Sequence, residues 1–261
     1  MLYLVDAHVH LVDDELKPYL DWIISSCMLR NVIVFSNSMD FVSSKLNLEL
    51  FSKYGFVKVF VGVHPWCASS YSAVDFENLL KENIRSIVGV GEIGLDGKYD
   101  NIVPMAVQRK VFEEQLALAE RYNLPVNVHS RRAQENVLET LSSYKISKIL
   151  LHWFSGDERF LKRGLDMGCF FSFGPTLVYS KSTRKLFQKC DASRVLVETD
   201  APVAYGVCFE GYISSPLLLS SIMYVVANLF RKSLEETLNI IWENSESYLG
   251  GKLLGDELSW V

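Results

Sequence analysis

The chain has little of what marks a nucleic-acid coat, a disulfide scaffold or a membrane protein. Lys and Arg number 26 against 31 Asp and Glu, a formal net charge of −5. That excludes a broad basic face laid along a polynucleotide, but not a pocket that handles a few phosphates. The five cysteines, Cys27, Cys67, Cys169, Cys190 and Cys208, are odd in number, widely spaced and never in a CxxC pair. A disulfide framework or zinc ribbon is therefore not expected, and a reducing, cytoplasmic setting is. No basic and apolar leader precedes Asp6, so no signal peptide is expected. The longest apolar stretches, such as residues 222–230 with Asn228 inside, are too short to span a bilayer, and no membrane association is expected. With 49% hydrophobic and 22% charged residues, disorder and coiled coil are also excluded.

What is present is an alternation. Short, nearly continuous apolar runs lie at 2–5, 32–35, 57–63, 87–90, 126–128, 149–151, 169–173 and 195–197, as expected of strands buried on both faces. Helical periodicity fills the gaps. In the clearest case Val107, Val111, Leu116 and Ala119 recur near 3.6 residues, with Gln108, Arg109, Glu113 and Glu114 assigned to the opposite side. A last helix runs through Leu234, Leu238, Ile241, Trp242, Ser245 and Tyr248, with Ser233 as N-cap and Glu236 at the capping-box position. Eight such units in 261 residues predict an α/β fold, a single (β/α)₈ barrel over 1–261. A doubly wound open sheet is the alternative, weakened because no Gly-rich fingerprint follows the first run.

The five histidines lie at the ends of these runs. His8 and His10 follow the first, His64 the third, His129 the fifth and His152 the sixth; Glu92 follows the fourth, and Glu198 and Asp200 the eighth. In a (β/α)₈ barrel these positions share one rim, where such enzymes build their sites. His8 and His10 project to the same side of a strand. Alone they could simply cap a strand end, and His129 or His152 could each be an ordinary hydrogen-bonded residue. Gathered at one rim, four imidazoles with Glu92 and Asp200 offer six ligands, enough for two divalent ions with one carboxylate bridging. Such a pair suits ester hydrolysis: it binds a substrate oxygen, lowers the pKa of a water and stabilises the leaving oxygen. Four imidazoles favour zinc on affinity, while availability can favour magnesium or manganese.

Further segments fall into a pattern: Asp6-Ala7-His8-Val9-His10-Leu11, Gly62-Val63-His64-Pro65, Gly91-Glu92-Ile93-Gly94-Leu95-Asp96, Gln108-Arg109 through Phe112, Leu124-Pro125-Val126-Asn127-Val128-His129-Ser130-Arg131, His152-Trp153-Phe154-Ser155-Gly156 and Glu198-Thr199-Asp200-Ala201-Pro202. In this order the chain resembles the TatD family of metal-dependent deoxyribonucleases. The resemblance implies a barrel with a dinuclear centre: His8, His10, Glu92 and Asp200 at one ion, Glu92, His129 and His152 at the other. It implies catalytic roles for Glu92, Asp200 and His64, with His64 facing substrate. It also implies DNA as the partner, cut as single strands or frayed 3′ ends, with no protein partner called for. Arg131 could contact a phosphate or form a surface salt bridge. Asp96 and Glu198 could orient ligands or make plain structural hydrogen bonds. The alternative chemistry is a metal-dependent esterase of the same barrel, acting on D-aminoacyl-tRNA or a small lactone or ester.

The chain also departs from that family. The loop 203–215 before Pro216 lacks the usual Arg and Asn, and Gly97-Lys98-Tyr99 stands where aromatic residues often follow the GLD segment. Trp66 and Trp153, each following a rim histidine, are expected either to stack on a base or to cover the mouth. Trp22, Trp242 and Trp260 are expected in helix packing. Gly89, Gly91, Gly94 and Gly97 read as sites of close backbone packing rather than as a phosphate loop.

Overall fold

In a computed structural model describing residues 2–251 and 253, eight parallel strands form one sheet in chain order. They are β1 (Leu4–Val9), β2 (Val32–Ser36), β3 (Val57–Val61), β4 (Ile87–Gly94), β5 (Val126–His129), β6 (Ile149–Leu151), β7 (Phe170–Phe173) and β8 (Val195–Val197). Between and after them run α1 (Leu20–Leu29), α2 (Phe41–Phe51), α3 (Ala73–Asn83), α4 (Met105–Arg121), α5 (Gln134–Leu141), α6 (Glu158–Asp166), α7 (Thr176–Tyr179), α8 (Lys181–Phe187), α9 (Leu219–Phe230) and α10 (Leu234–Leu249). The sheet curls into a nearly closed barrel. Beyond the end of β8 the seam to β1 is joined by Asp200 N–H donating to the His8 carbonyl (2.9 Å) and His10 N–H to that of Ala201 (2.8 Å). The buried Asp6 carboxylate reinforces the seam by accepting the Thr199 N–H at 2.9 Å and its hydroxyl. Burial pushes the Asp6 carboxyl up to about 8, against the lowering pull of the Thr199 bonds.

The strand interiors are buried almost throughout, as β-branched runs covered on both faces should be. One end of the barrel is stoppered by α10. Its Tyr248 packs beside Phe35, Phe60 and Phe170 and donates its hydroxyl to the carbonyl of Val126, the first residue of β5. Ser233 caps α10 in a reciprocal capping box with Glu236, as expected. The opposite end, where the strands finish, stays open.

Several boundaries differ from the sequence reading. β1 continues to Val9 and β4 to Gly94, so His8 and Glu92 lie within strands. Polar residues end an apolar run in the sequence, but here they are buried and bonded in the barrel mouth, so the ladder continues through them. Gln108 is not on the solvent side of α4; it is fully buried, because its amide is hydrogen-bonded to backbone. Trp22 is 60% exposed rather than packed, whereas Trp242 stacks near Tyr3 against the core. Trp260 lies outside the described residues.

Two glycines let the backbone close around the mouth. A Cβ on Gly91 would sit 2.6 Å from Asn37 Oδ1 and 2.7 Å from Asn127 Cβ. At Gly94 it would meet the His129 carbonyl oxygen at 2.1 Å, and φ is +141°, a backbone that side chains rarely adopt. Gly94→Ala should therefore cost at least about 2 kcal/mol through clash and backbone strain. Urea unfolding checks this; a midpoint equal to the parent's would refute the close-approach role.

Candidate metal centre

Glu92 sits at the middle of the open end with 2% of its surface exposed, and all five histidines of the chain reach its carboxylate. Its oxygens are divided between two groups. Oε2 faces Nε2 of His8 (3.4 Å) and of His10 (3.2 Å), and Asp200 Oδ1 completes this group at 3.5 Å from each of those nitrogens. Oε1 faces His129 Nδ1 and His152 Nε2, both at 2.7 Å, and His64 Nε2 at 3.3 Å. The sequence-predicted residues therefore converge on one carboxylate.

For every ring but His152, a hydrogen bond on its far side decides which nitrogen can offer a lone pair. Asn127 Nδ2 donates to the Ala7 carbonyl (3.0 Å), which turns its Oδ1 toward His8 Nδ1 (3.0 Å). His10 Nδ1 meets the Asn37 carbonyl at 3.2 Å, and His129 Nε2 meets Asp96 Oδ2 at 3.0 Å. Each of these partners can only accept. The outer nitrogen therefore keeps its hydrogen, and the inner one, facing Glu92, is the nitrogen that can give up its proton and offer a lone pair to a metal. His152 Nδ1 faces Glu198 Oε2 at 3.7 Å, and that carboxylate is held by the Ser172 hydroxyl at 2.6 Å. His64 is the reverse case. Its Nδ1 accepts the Trp66 backbone N–H at 3.2 Å, so in the neutral ring Nε2 bears a hydrogen pointing into the mouth.

The electrostatics follow the same division. Burial alone would raise the Glu92 carboxyl, but His64, His152, His8 and His10 around it hold it well below the usual range. Burial would lower His10, yet its bonds to Asp200 and Glu92 push it up to about 10. His129 and His152 are raised against the same burial penalty, His129 by Asp96 and Glu92, His152 by Glu92 and Glu198. Desolvation wins at His64, which falls to about 4 and is neutral near pH 7. Asp200 is held below its ordinary value despite burial, chiefly by His10 and His8.

Asp96 serves as a hub rather than a ligand. Its Oδ2 accepts from His129, from Arg131 Nε (2.9 Å) and Nη2 (2.6 Å), and from the Trp66 indole (2.8 Å), while Oδ1 takes the Lys98 N–H. Arg131 thus makes an ion pair, yet its side chain is 37% exposed and borders the mouth cavity of about 740 Å³. Trp66 stacks with Tyr99 at 5.0 Å between ring centroids and lies under the Arg131 guanidinium. Its indole is thus already engaged by this chain, and it stands in the cavity wall. Trp153 also lines the cavity and packs on Tyr205, with φ at +37°, an uncommon backbone for so bulky a residue. Asp200 adopts φ of +47°, which aspartate tolerates better. From the atypical loop, Val203 and Ala204 line the mouth, and Ala204 bridges Ile213.

Asn127 and Asn37 escaped the sequence reading. Asn127 could have been found, since it precedes His129 by two residues on the same strand and shares its side by the period-two rule. Asn37 acts through a backbone carbonyl and leaves no side-chain signal.

This donor set fits divalent metal. Imidazole nitrogens and carboxylate oxygens lie within 4.8 Å of one another in His8, His10 and Glu92, and again in His64, Glu92 and His129. The family comparison agrees. The model of the TatD-related DNases matches residues 5–250. The chain belongs to that family, one of metal-dependent hydrolases. It is similar to the human deoxyribonuclease TATDN3, 31% identical over 93% of each chain. An uncharacterized metal-dependent hydrolase of Bacillus subtilis, YabD, is 27% identical over 93% of this chain and 97% of its own length. The crystal structure of YjjV, a TatD homologue of Escherichia coli, superposes with a TM-score of 0.86 at 25% identity, over 96% of this chain and 97% of that one.

Protons and metal compete for the same nitrogens in this TatD-family site. His10 is pushed up to about 10 and His129 and His152 are raised, so each holds its proton more tightly than a free imidazole and a metal must expel it. Apparent metal affinity should therefore rise with pH from about 6 up to about 10, with protons released on binding. Calorimetry in buffers of different ionisation enthalpy measures the release; a pH-independent affinity would contradict this assignment.

Proposed function

We propose that the chain is a two-metal phosphodiesterase that removes nucleotides from the 3′ end of single-stranded or frayed DNA. The observation that carries this reading is the division of Glu92. One oxygen faces His8, His10 and the neighbouring Asp200, and the other faces His129 and His152. A carboxylate so placed can bridge two ions, with four imidazoles and Asp200 completing their shells. Zinc suits the nitrogen-rich set; magnesium or manganese could serve by availability. When bound, such a pair polarises a phosphoryl oxygen and lowers the pKa of a water.

The chain's own groups supply the rest. His64, neutral with its proton on Nε2, donates to a phosphate oxygen or to the leaving oxygen. Asp200 takes the proton of the attacking water as it closes on phosphorus, and hands it to the leaving oxygen as the P–O bond breaks. Arg131, aimed by Asp96, can offer its free N–H groups to the same phosphate.

Two substitutions separate these roles. Glu92→Ala removes the shared ligand and should cost both tight ions and nearly all turnover. His64→Ala should retain metal content and lose about 100-fold or more in rate, the usual worth of one preorganised hydrogen-bond donor. Elemental analysis beside the rate decides; loss of one metal equivalent in His64→Ala would make His64 a ligand.

The DNA reading predicts a particular salt response. The mouth has the volume of a small-ligand pocket, so it suits a strand end better than a duplex. Arg131 is the only Arg or Lys among the described lining residues, and Asp13 and Glu15 also line the mouth. Few phosphates are neutralised, so the logarithmic salt slope should be shallow, on the order of −1 to −2. End-labelled and circular single strands, digested across a salt series, test both points. Rapid cutting of circles would sink the exonuclease reading, and a steep slope would sink pocket-only binding. Cleavage of a carboxyl ester with DNA left intact would move the assignment to the esterase alternative.

A further inference from the structure

β3 ends at Val61 and β4 at Gly94. Two residues further on, at Val63 and Asp96, the peptide groups have left the ladder and still need partners. Both find them on α4. Gln115 Oε1 accepts the Val63 N–H at 2.7 Å, and its Nε2 donates to the Val63 carbonyl at 3.0 Å. Gln108 repeats the clasp at Asp96: Oε1 accepts the N–H at 2.8 Å, and Nε2 donates to the carbonyl at 3.2 Å and to that of Val103 at 2.7 Å. Both glutamines are fully buried. They stand seven residues apart, about 10.5 Å along the helix and on nearly the same face. Each amide bonds a peptide group that the neighbouring segments leave unpaired.

The clasped residues are those that aim the site. Val63 immediately precedes His64, whose Nε2 lies 3.3 Å from Glu92. Asp96 receives His129, Arg131 and Trp66 on one oxygen. Leu or Met would fill either buried position without desolvating an amide, so burial alone does not call for glutamine. We propose that Gln108 and Gln115 are positioning residues through which α4 sets the register of two mouth loops against Glu92. Gln108 acts through Asp96 on the hold of His129 on metal. Gln115 acts through Val63 on the aim of His64 at a substrate oxygen, and this half rests on the substrate role proposed above for His64.

The test uses the full chain, with Gln108→Met and Gln115→Met chosen to keep the volume and remove the bonds. Zinc affinity is measured by chelator competition, and inorganic phosphate affinity of the zinc-loaded protein by calorimetry. Gln108→Met should weaken the looser zinc ion by about 10–100-fold, the usual effect of losing an outer-shell partner. Gln115→Met should bind zinc like the parent and lose phosphate affinity as His64→Ala does, with no further loss in the double variant. Parent-like zinc binding in Gln108→Met, or additive effects of Gln115→Met and His64→Ala, would overturn the proposal. Unchanged phosphate binding in His64→Ala would overturn the Gln115 half together with the His64 reading, and the zinc result would still decide Gln108. If the Met variants do not fold, Gln108→Glu and Gln115→Glu keep the acceptor, lose the donor and are read in the same assays with the same expected ordering.

Discussion

An ionised carboxylate enclosed by protein is tolerable only if something nearby answers its charge. Glu92 is that group, and the organisation of the open end follows from it. Removing the partners of a buried charge costs about 3–5 kcal/mol, a large share of a typical domain's stability. Five imidazoles meet the need, each within 3.4 Å of one of its oxygens. They come from β1, the turn after β3, the end of β5 and the residue after β6, so a parallel barrel is required to bring them to one point. The arrangement that stabilises the carboxylate is also one that can accept cations in place of protons.

Imidazoles placed at random around a carboxylate would not make a metal site. Which ring nitrogen is free depends on a further layer: Asn127 and the Asn37 carbonyl behind β1, Asp96 behind His129, Glu198 with Ser172 behind His152. In the neutral rings of His8, His10 and His129 the hydrogen sits on the outer nitrogen and the inner one is open to a metal, whereas in His64 a backbone donor puts the hydrogen on the inner nitrogen. That single inverted hydrogen bond sets His64 apart from the rings beside it. Without it, distance alone would group His64 with the ligands.

The mouth wall departs from the metal floor in character. Arg131 is held by Asp96, Trp66 by Tyr99 and Arg131, and Trp153 by Tyr205. These contacts make a rigid rim of aromatic and paired charged groups with little free positive charge. A wall of that kind selects by shape rather than by long-range attraction.

The sequence by itself determined the alternation of buried strands and amphipathic helices, and so the barrel, because a period-two or period-3.6 burial pattern is a local property of the chain. It also determined that the His and carboxylate residues gather at one rim, because in a parallel barrel every strand end faces the same way. Three things were decided only by the tertiary structure. β1 and β4 run on through polar residues because their partners lie on other strands, which an apolar-run reading cannot see. Gln108 is buried although its position reads as surface, because an amide bonded to a distant backbone costs little to desolvate. His64 keeps its neutral-ring hydrogen on the nitrogen facing the mouth, unlike His8, His10 and His129, because a ring's tautomer is set by whatever lies behind it in space.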